Sequence, residues 1–331
     1  MRAIMVGNGY IGGAHRASYK RLCDEGKDIQ LVAVCDIRSE KLENTNGAKV
    51  YTDFCEMLEA EKGNADYVDI CVPTYLHAEF TVKALKAGYH VLCEKPMALT
   101  DEETKLMLDT AKETGKKLMI AQCCRFMDEL EYMKKFVEEG SFGKIIGGEF
   151  AACGGTFPSW GFEDWFKDGK KSGGVMLDVQ AHNLDLMYWM LGMPKAVSTV
   201  AFEREGATGY ANVSANHIYE DFCIYSYCDW SQKSIHNGRV RRINFENGYI
   251  YYNHSFTPYF ATVDKDGNVT DLKDKVTPGY SDMAKEIEYF NDCIKNDTYP
   301  EKCPPEESAK VVTIMRAQEK SADNMGAPVI L

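Results

Sequence analysis

Along the first third of the chain, short apolar runs alternate with segments whose apolar residues recur at helical spacing. "AIMV" leads into Gly7, Gly9 and Gly12, and Ile11, Ala14, Ser18 and Leu22 then follow a helical pattern. "IQLVAVCD" is a second buried strand and ends in Asp36. "YVDICVP", a helix from about Leu76 to Ala87, "HVLCEKP", a helix from about Asp101 to Thr114, and "KLMIAQCC" continue the alternation. Such alternation predicts a parallel sheet with helices on both faces. Ligands of such sheets bind beyond the carboxyl ends of the strands. Pro73, Thr74 and His77 follow one strand end and Glu94 and Lys95 the next, so both loops are expected to open onto that edge.

After Gln122 the pattern changes. A helix, "MDELEYMKKFVEEG", leads into a strand, "KIIGGEFAA", and a loop rich in Gly, Trp and Phe runs from Gly154 to Lys171. Later runs carry Asn247-Gly248 and Asp266-Gly267, both hairpin signals. Between them lies "SGGVMLDVQAHNLDLMYWMLGMP", opened by Gly173 and Gly174 and closed by Gly192 and Pro194. Leu177, Ala181, Leu184, Tyr188 and Leu191 form its predicted buried stripe. Asp178, His182, Asp185 and Trp189 form a second stripe at the edge of the first, which suits a cleft wall.

Composition narrows the class. The 331 residues are 45% hydrophobic and 27% charged, as for one large or two ordinary globular domains. No run approaches the roughly 18 apolar residues of a membrane span, and the N-terminal apolar run is too short for a signal peptide, so a cytoplasmic location without membrane partners is expected. A net charge of -12 opposes nucleic-acid binding, and the basic "GRVRRINF" is read as a solvated face. Twelve cysteines include no C-x-x-C pair; several lie in strand runs, so free thiols and no metal site are expected.

The glycines, in G-x-G-x-x-G spacing between a strand and a helix, carry a mechanism. Gly7 permits the tight turn, Gly9 the approach of a pyrophosphate and Gly12 close helix packing, with the helix N-terminus favouring negative charge. Gly7, Asn8, Gly9, Tyr10, Ile11 and Gly12 are thus the expected cofactor loop. Asp36 would bind the adenosine ribose hydroxyls and repel a 2'-phosphate, which favours NAD, while Arg38 keeps NADP possible. The expected fold class is α/β: a Rossmann domain over 1–122, then an α+β domain with a mainly antiparallel open sheet over 123–331. Asp178 and His182, four apart, can meet on a helix, either as an oriented general base or as a plain helix pair.

Together, the glycine loop, the acid ending the second strand, E-K-P at Glu94 to Pro96, "CRF" after the sixth strand and "SGGVMLDVQAHNLD" resemble the glucose-fructose oxidoreductase, inositol dehydrogenase and MocA family. The resemblance covers nearly the whole chain. It implies an NAD-dependent hydride transfer from a sugar, polyol or glycoside, with a transient-oxidation glycoside-cleaving enzyme or a nucleotide sensor as alternatives. It implies that Lys95 bonds the substrate oxygen, His182 is the proton acceptor or donor and Asp178 orients it. Glu94, Pro73, Thr74 and His77 would line the cofactor, and Arg125 and Trp165 the substrate. It further implies a homodimer or homotetramer joined through the second sheet. Phe166, Gln180 and Cys123-Cys124 depart from residues common in the family near the substrate.

Overall fold

A computed structural model describes residues 1–153, 161–231, 238–277 and 282–331. The first sheet contains β1 (Arg2–Val6), β2 (Gln30–Cys35), β3 (Lys49–Tyr51), β4 (Tyr67–Ile70), β5 (His90–Glu94) and β6 (Leu118–Ala121). Its order is β3-β2-β1-β4-β5-β6 and every pairing is parallel. The order reverses direction between β1 and β4, the place where such sheets hold a dinucleotide. The crossovers include α1 (Tyr10–Asp24), α2 (Phe54–Ala60), α3 (His77–Lys86) and α4 (Asp101–Thr114). β4 and β6 are buried along their whole length, as both-face coverage requires.

The chain forms two compact units. The first holds Met1–Phe126 and also residues 161–165 and 282–309; the second holds residues 127–153, 166–277 and 310–331. A single boundary after Gln122 therefore misses a return of the chain to the first unit. The reason lies in the helix Asp282–Lys295, whose Ala284, Ile287 and Phe290 share one buried cluster with Tyr19, Leu22, Tyr67, Leu92 and Met119.

In the second unit, α5 (Asp128–Glu139) leads into β7 (Ile145–Cys153). Three helices follow: α6 (Gly169–Ser172), α7 (Gly174–Asp178) and α8 (Gln180–Leu191). The strands continue as β8 (Ala196–Glu203), β9 (Tyr210–Ile218), β10 (Cys223–Asp229), β11 (Gly238–Phe245), β12 (Gly248–Asn253), β13 (Phe260–Asp264) and β14 (Val269–Asp271). Asp282–Lys295 is α9, Pro305–Asp323 is α10, and Val329–Ile330 is the short β15. The sheet order is β14-β13-β12-β11-β7-β10-β9-β8-β15, antiparallel throughout except for the parallel β7–β10 pair. β9 shows why one face is covered: Ala211, Val213, Ala215 and His217 are buried, and the residues between them are not.

Both hairpins form. Phe245 pairs with Gly248, so the first turn is Glu246-Asn247, one residue earlier than the Asn-Gly signal. "GRVRRINF" is only partly a solvated face. Arg241 is buried, its Nη1 donating to the Ala151 carbonyl at 2.9 Å.

Candidate functional site

Gly7 leaves β1 with φ +91°, and a Cβ there would press on the Cys71 carbonyl. A Cβ on Gly12 would collide with the Gly7 carbonyl, whereas Gly9 has only the end of Arg38 nearby. α1 then starts after Gly9, which has no side chain to cap it, and carries no acidic residue in its first turn, so its positive dipole end suits an anion. These features fit a dinucleotide pyrophosphate. Tyr10 is exposed and Ile11 packs beside Met5, Val34 and Cys71. Asn8 donates its backbone N–H to Asp36 Oδ2 at 2.8 Å and its side-chain amide to the Lys41 carbonyl at 2.6 Å, which fixes the loop against the end of β2.

Asp36 is held on both oxygens by Arg38, Nε to Oδ1 and Nη2 to Oδ2, each at 3.0 Å. Burial pushes the Asp36 carboxyl up, and the bonds from Arg38 and Asn8 outweigh it, leaving it below its ordinary value. The Arg38 guanidinium also lies 4.9 Å from the centre of the Phe162 ring. A ribose hydroxyl seeking Asp36 therefore competes with Arg38, a pairing not inferred from the sequence.

The loops after β4 and β5 are tied together by His77. Its Nδ1 lies 2.8 Å from the Pro96 carbonyl and its Nε2 2.9 Å from the Val72 carbonyl. Burial lowers the pKa of this ring below its ordinary value, against the two carbonyls, which raise it. Fully enclosed, His77 braces the two loops; Thr74 in the turn before it is buried, and Pro73 precedes this turn. Glu94 also turns inward. Oε1 meets His15 Nε2 at 2.9 Å, and Oε2 accepts the Lys95 backbone N–H at 3.0 Å. Lys95, by contrast, is partly exposed at the carboxyl end of β5.

Arg125, expected at the substrate, is wholly buried. Its Nη1 donates to the Lys302 carbonyl at 2.9 Å and to Glu307 Oε2 at 2.5 Å. This ion pair, part-exposed on the Glu307 side, ties the turn after β6 to the later segment. Trp165 is half-buried, just after Glu163 and Asp164 in left-handed backbone. The Gly154–Trp160 part of the expected active-site loop lies outside the described residues.

In the second unit the glycine pair has a local cause. Gly173 (φ +71°) ends α6, and a Cβ on Gly174 (φ +65°) would meet the Tyr210 carbonyl at 2.5 Å. The expected single helix is two, because the chain tightens at Val179, where the His182 N–H donates to the Val179 carbonyl at 3.2 Å. Asp178 closes α7 and His182 lies in the first turn of α8, both half-buried. Gln180, Ala181, Asn183 and Leu184 around them are buried, so this stretch exposes one narrow side. Asp185, assigned to the same side, is fully buried, while Tyr188 and Leu191 of the predicted core stripe are only half-buried. The helix is nearly surrounded, so the two-stripe picture overstates its exposed face.

Two of the family departures are buried against other protein groups. Gln180 donates to Ser226 Oγ at 2.5 Å and its Oε1 accepts from Asn183 at 3.0 Å. Phe166 is buried edge-on against Trp230 at 6.0 Å.

Residues 1–122 match a family described as an oxidoreductase family with an NAD-binding Rossmann fold, and residues 130–248 match the GFO/IDH/MocA C-terminal domain. The chain is 35% identical over 215 residues to D-glucoside 3-dehydrogenase of Escherichia coli, a match covering 62% of this chain and 59% of the relative. It is 30% identical over 200 residues to 2,7-anhydro-N-acetylneuraminate hydratase of Mediterraneibacter gnavus, covering 59% of this chain and 50% of that one. The matched part thus spans about half the length of these curated relatives. In fold, the chain superposes on levoglucosan dehydrogenase in complex with NADH with a TM-score of 0.88 at 19% identity, over 100% of this chain and 98% of that one.

Proposed function

We propose, for a chain that belongs to the Gfo/Idh/MocA family of oxidoreductases, that it moves hydride between a secondary ring alcohol of a sugar, cyclitol or glycoside and NAD. The observation that carries this reading is the E-K-P stretch. Glu94 and Pro96 are buried, while Lys95 alone of the three is partly exposed, at the strand edge where such sheets bind ligands. The loop Gly7–Gly12 and the N-terminus of α1 would hold the pyrophosphate, and Asp36 the ribose. The bound nicotinamide supplies a hydride acceptor.

The remaining work falls to the chain. Lys95 hydrogen-bonds the reacting hydroxyl and lowers the cost of its deprotonation. His182 accepts the proton, and Asp178 orients its ring and stabilises the imidazolium that forms. The E. coli relative's name favours a glycoside ring hydroxyl as the site of oxidation.

A second reading has its own support in the hydratase relative at 30% identity: transient oxidation, elimination and re-reduction, with no net redox change. Incubation with NAD and a panel of inositols, hexoses and glycosides separates the two. Accumulating NADH supports the dehydrogenase, and product without NADH the cycling enzyme. NAD binding without product from any of them would point to the wrong substrate class or to a sensor.

A further inference from the structure

His15, on the second turn of α1, was not singled out by any motif, yet it is fully buried between two carboxylates. Its Nδ1 lies 2.9 Å from Asp69 Oδ2 on β4, and its Nε2 lies 2.9 Å from Glu94 Oε1 at the end of β5. Tyr19 donates to the same Asp69 oxygen at 3.0 Å, Tyr67 donates to Tyr19 at 2.9 Å, and Asn291 on α9 donates to Tyr67 at 2.9 Å. Glu94 then accepts the Lys95 N–H. The result is an unbroken buried chain from α9 to the residue proposed to touch substrate.

The chemistry of its centre is constrained. A neutral imidazole carries one N–H, and an ionised carboxylate can only accept. With a carboxylate oxygen 2.9 Å from each ring nitrogen, a neutral ring would aim one lone pair at another. One additional proton must therefore sit in the Asp69–His15–Glu94 group. Burial opposes charge on the ring, but the attraction and bond from Asp69 outweigh it, so His15 stands well above its ordinary pKa. Burial likewise pushes Glu94 up, and His15 brings it down below its ordinary value. Both directions place the proton on His15. The other titratable groups facing the ring are Cys71 just after β4, Tyr19 on α1, Tyr67 on β4 and Glu286 on α9. Lys95 acts on the Glu94 end.

We propose that His15 is a positioning residue for the reaction: as an imidazolium clamped between Asp69 and Glu94, it keeps Glu94 an anion that grips the Lys95 backbone and lends its field to the Lys95 ammonium. This rests on the proposed role of Lys95. Without His15, Glu94 would protonate at a higher pH, release its grip and leave Lys95 less basic and less well placed.

Two measurements test this. In the nitrogen NMR spectrum of the histidine-labelled protein without cofactor or substrate, His15 should show two protonated ring nitrogens at pH 7 and above. Glu94→Gln should convert it towards a neutral ring at lower pH. A neutral His15 at pH 7 in the wild-type protein overturns the proposal, and this arm stands whether or not the dehydrogenase reading holds. In turnover at saturating NAD, His15→Gln should cost about tenfold to a hundredfold in kcat, the range for partners that orient an active-site ligand. The acid limb of its kcat profile should move to higher pH, with NAD affinity kept within a few-fold. An active variant with the wild-type acid limb would make His15 a packing residue and leave the dehydrogenase reading intact. If His15→Gln does not fold, the wild-type spectrum alone decides.

Discussion

Lys95 and His182 are expected to share the proton of the substrate hydroxyl, and their variants should differ in kind. Lys95→Met should abolish measurable turnover while leaving NAD affinity, measured by titration, within a few-fold; wild-type turnover would make Lys95 a surface residue. His182→Ala should cost on the order of 10² to 10⁴ in rate, the usual worth of a positioned proton acceptor. Only a few tenths of a kcal/mol of stability would change if Asp178 and His182 were a helix pair and nothing more. The cofactor specificity turns on a neighbouring pair. Since Arg38 occupies both oxygens of Asp36, Asp36→Ala frees a guanidinium beside Phe162 and should narrow the preference for NAD. Arg38→Ala should weaken NADP more than NAD. Binding titrations with both cofactors check this, and tighter wild-type binding of NADP would reverse the assignment. The glycine loop, Asp36 and Lys95 were legible in the sequence because their meaning lies in local spacing. His15 was not, because its partners stand 54 and 79 residues away.

At the scale of elements, legibility followed the strength of the local signal. Asp101–Thr114 is the helix expected, and its ends explain why: Thr100 and Glu103 cap each other's N–H groups, and Gly115 closes it in left-handed backbone. β3 was missed because three residues with no buried position carry no periodicity. The stretch from Gly174 to Leu191 was read as one helix because apolar spacing continues through Val179, and spacing alone does not register a tightened turn. Gly174 is the element-scale test. Gly174→Ala puts a methyl group against the Tyr210 carbonyl in a backbone region that costs an ordinary residue about 1–3 kcal/mol. Urea unfolding should show the loss, and turnover should fall with it, since α7 ends in Asp178. A variant with unchanged stability would mean that the turn adapts.

Over the whole molecule, the sequence conveyed two sheets of different kinds but not the path of the chain between units. α9 looks like any amphipathic helix, and nothing local says which apolar cluster its Ala284, Ile287 and Phe290 will join. That return carries Glu286 into the first unit, where neither carboxyl oxygen has a hydrogen-bond partner among the described residues. Burial first, and then the nearby Glu94, push its pKa well above the ordinary value. In the unfolded chain Glu286 loses its proton near pH 4.5, while in the folded protein it keeps it to a higher pH. Between those values the folded state binds more protons, so stability falls as pH rises, by up to about 1.4 kcal/mol per pH unit for one proton. His15, also raised, adds loss in the same direction above its unfolded value near 6.5. Glu94, lowered, acts the other way, its contribution vanishing as pH drops through its folded value. Glu286→Gln keeps the shape and removes the titration. Its urea midpoint should match the wild type near pH 4.5, exceed it increasingly towards alkaline pH, and stay above it once the wild-type carboxyl has ionised. Two parallel stability curves would show that Glu286 ionises freely and that the buried cluster admits more solvent than its packing implies.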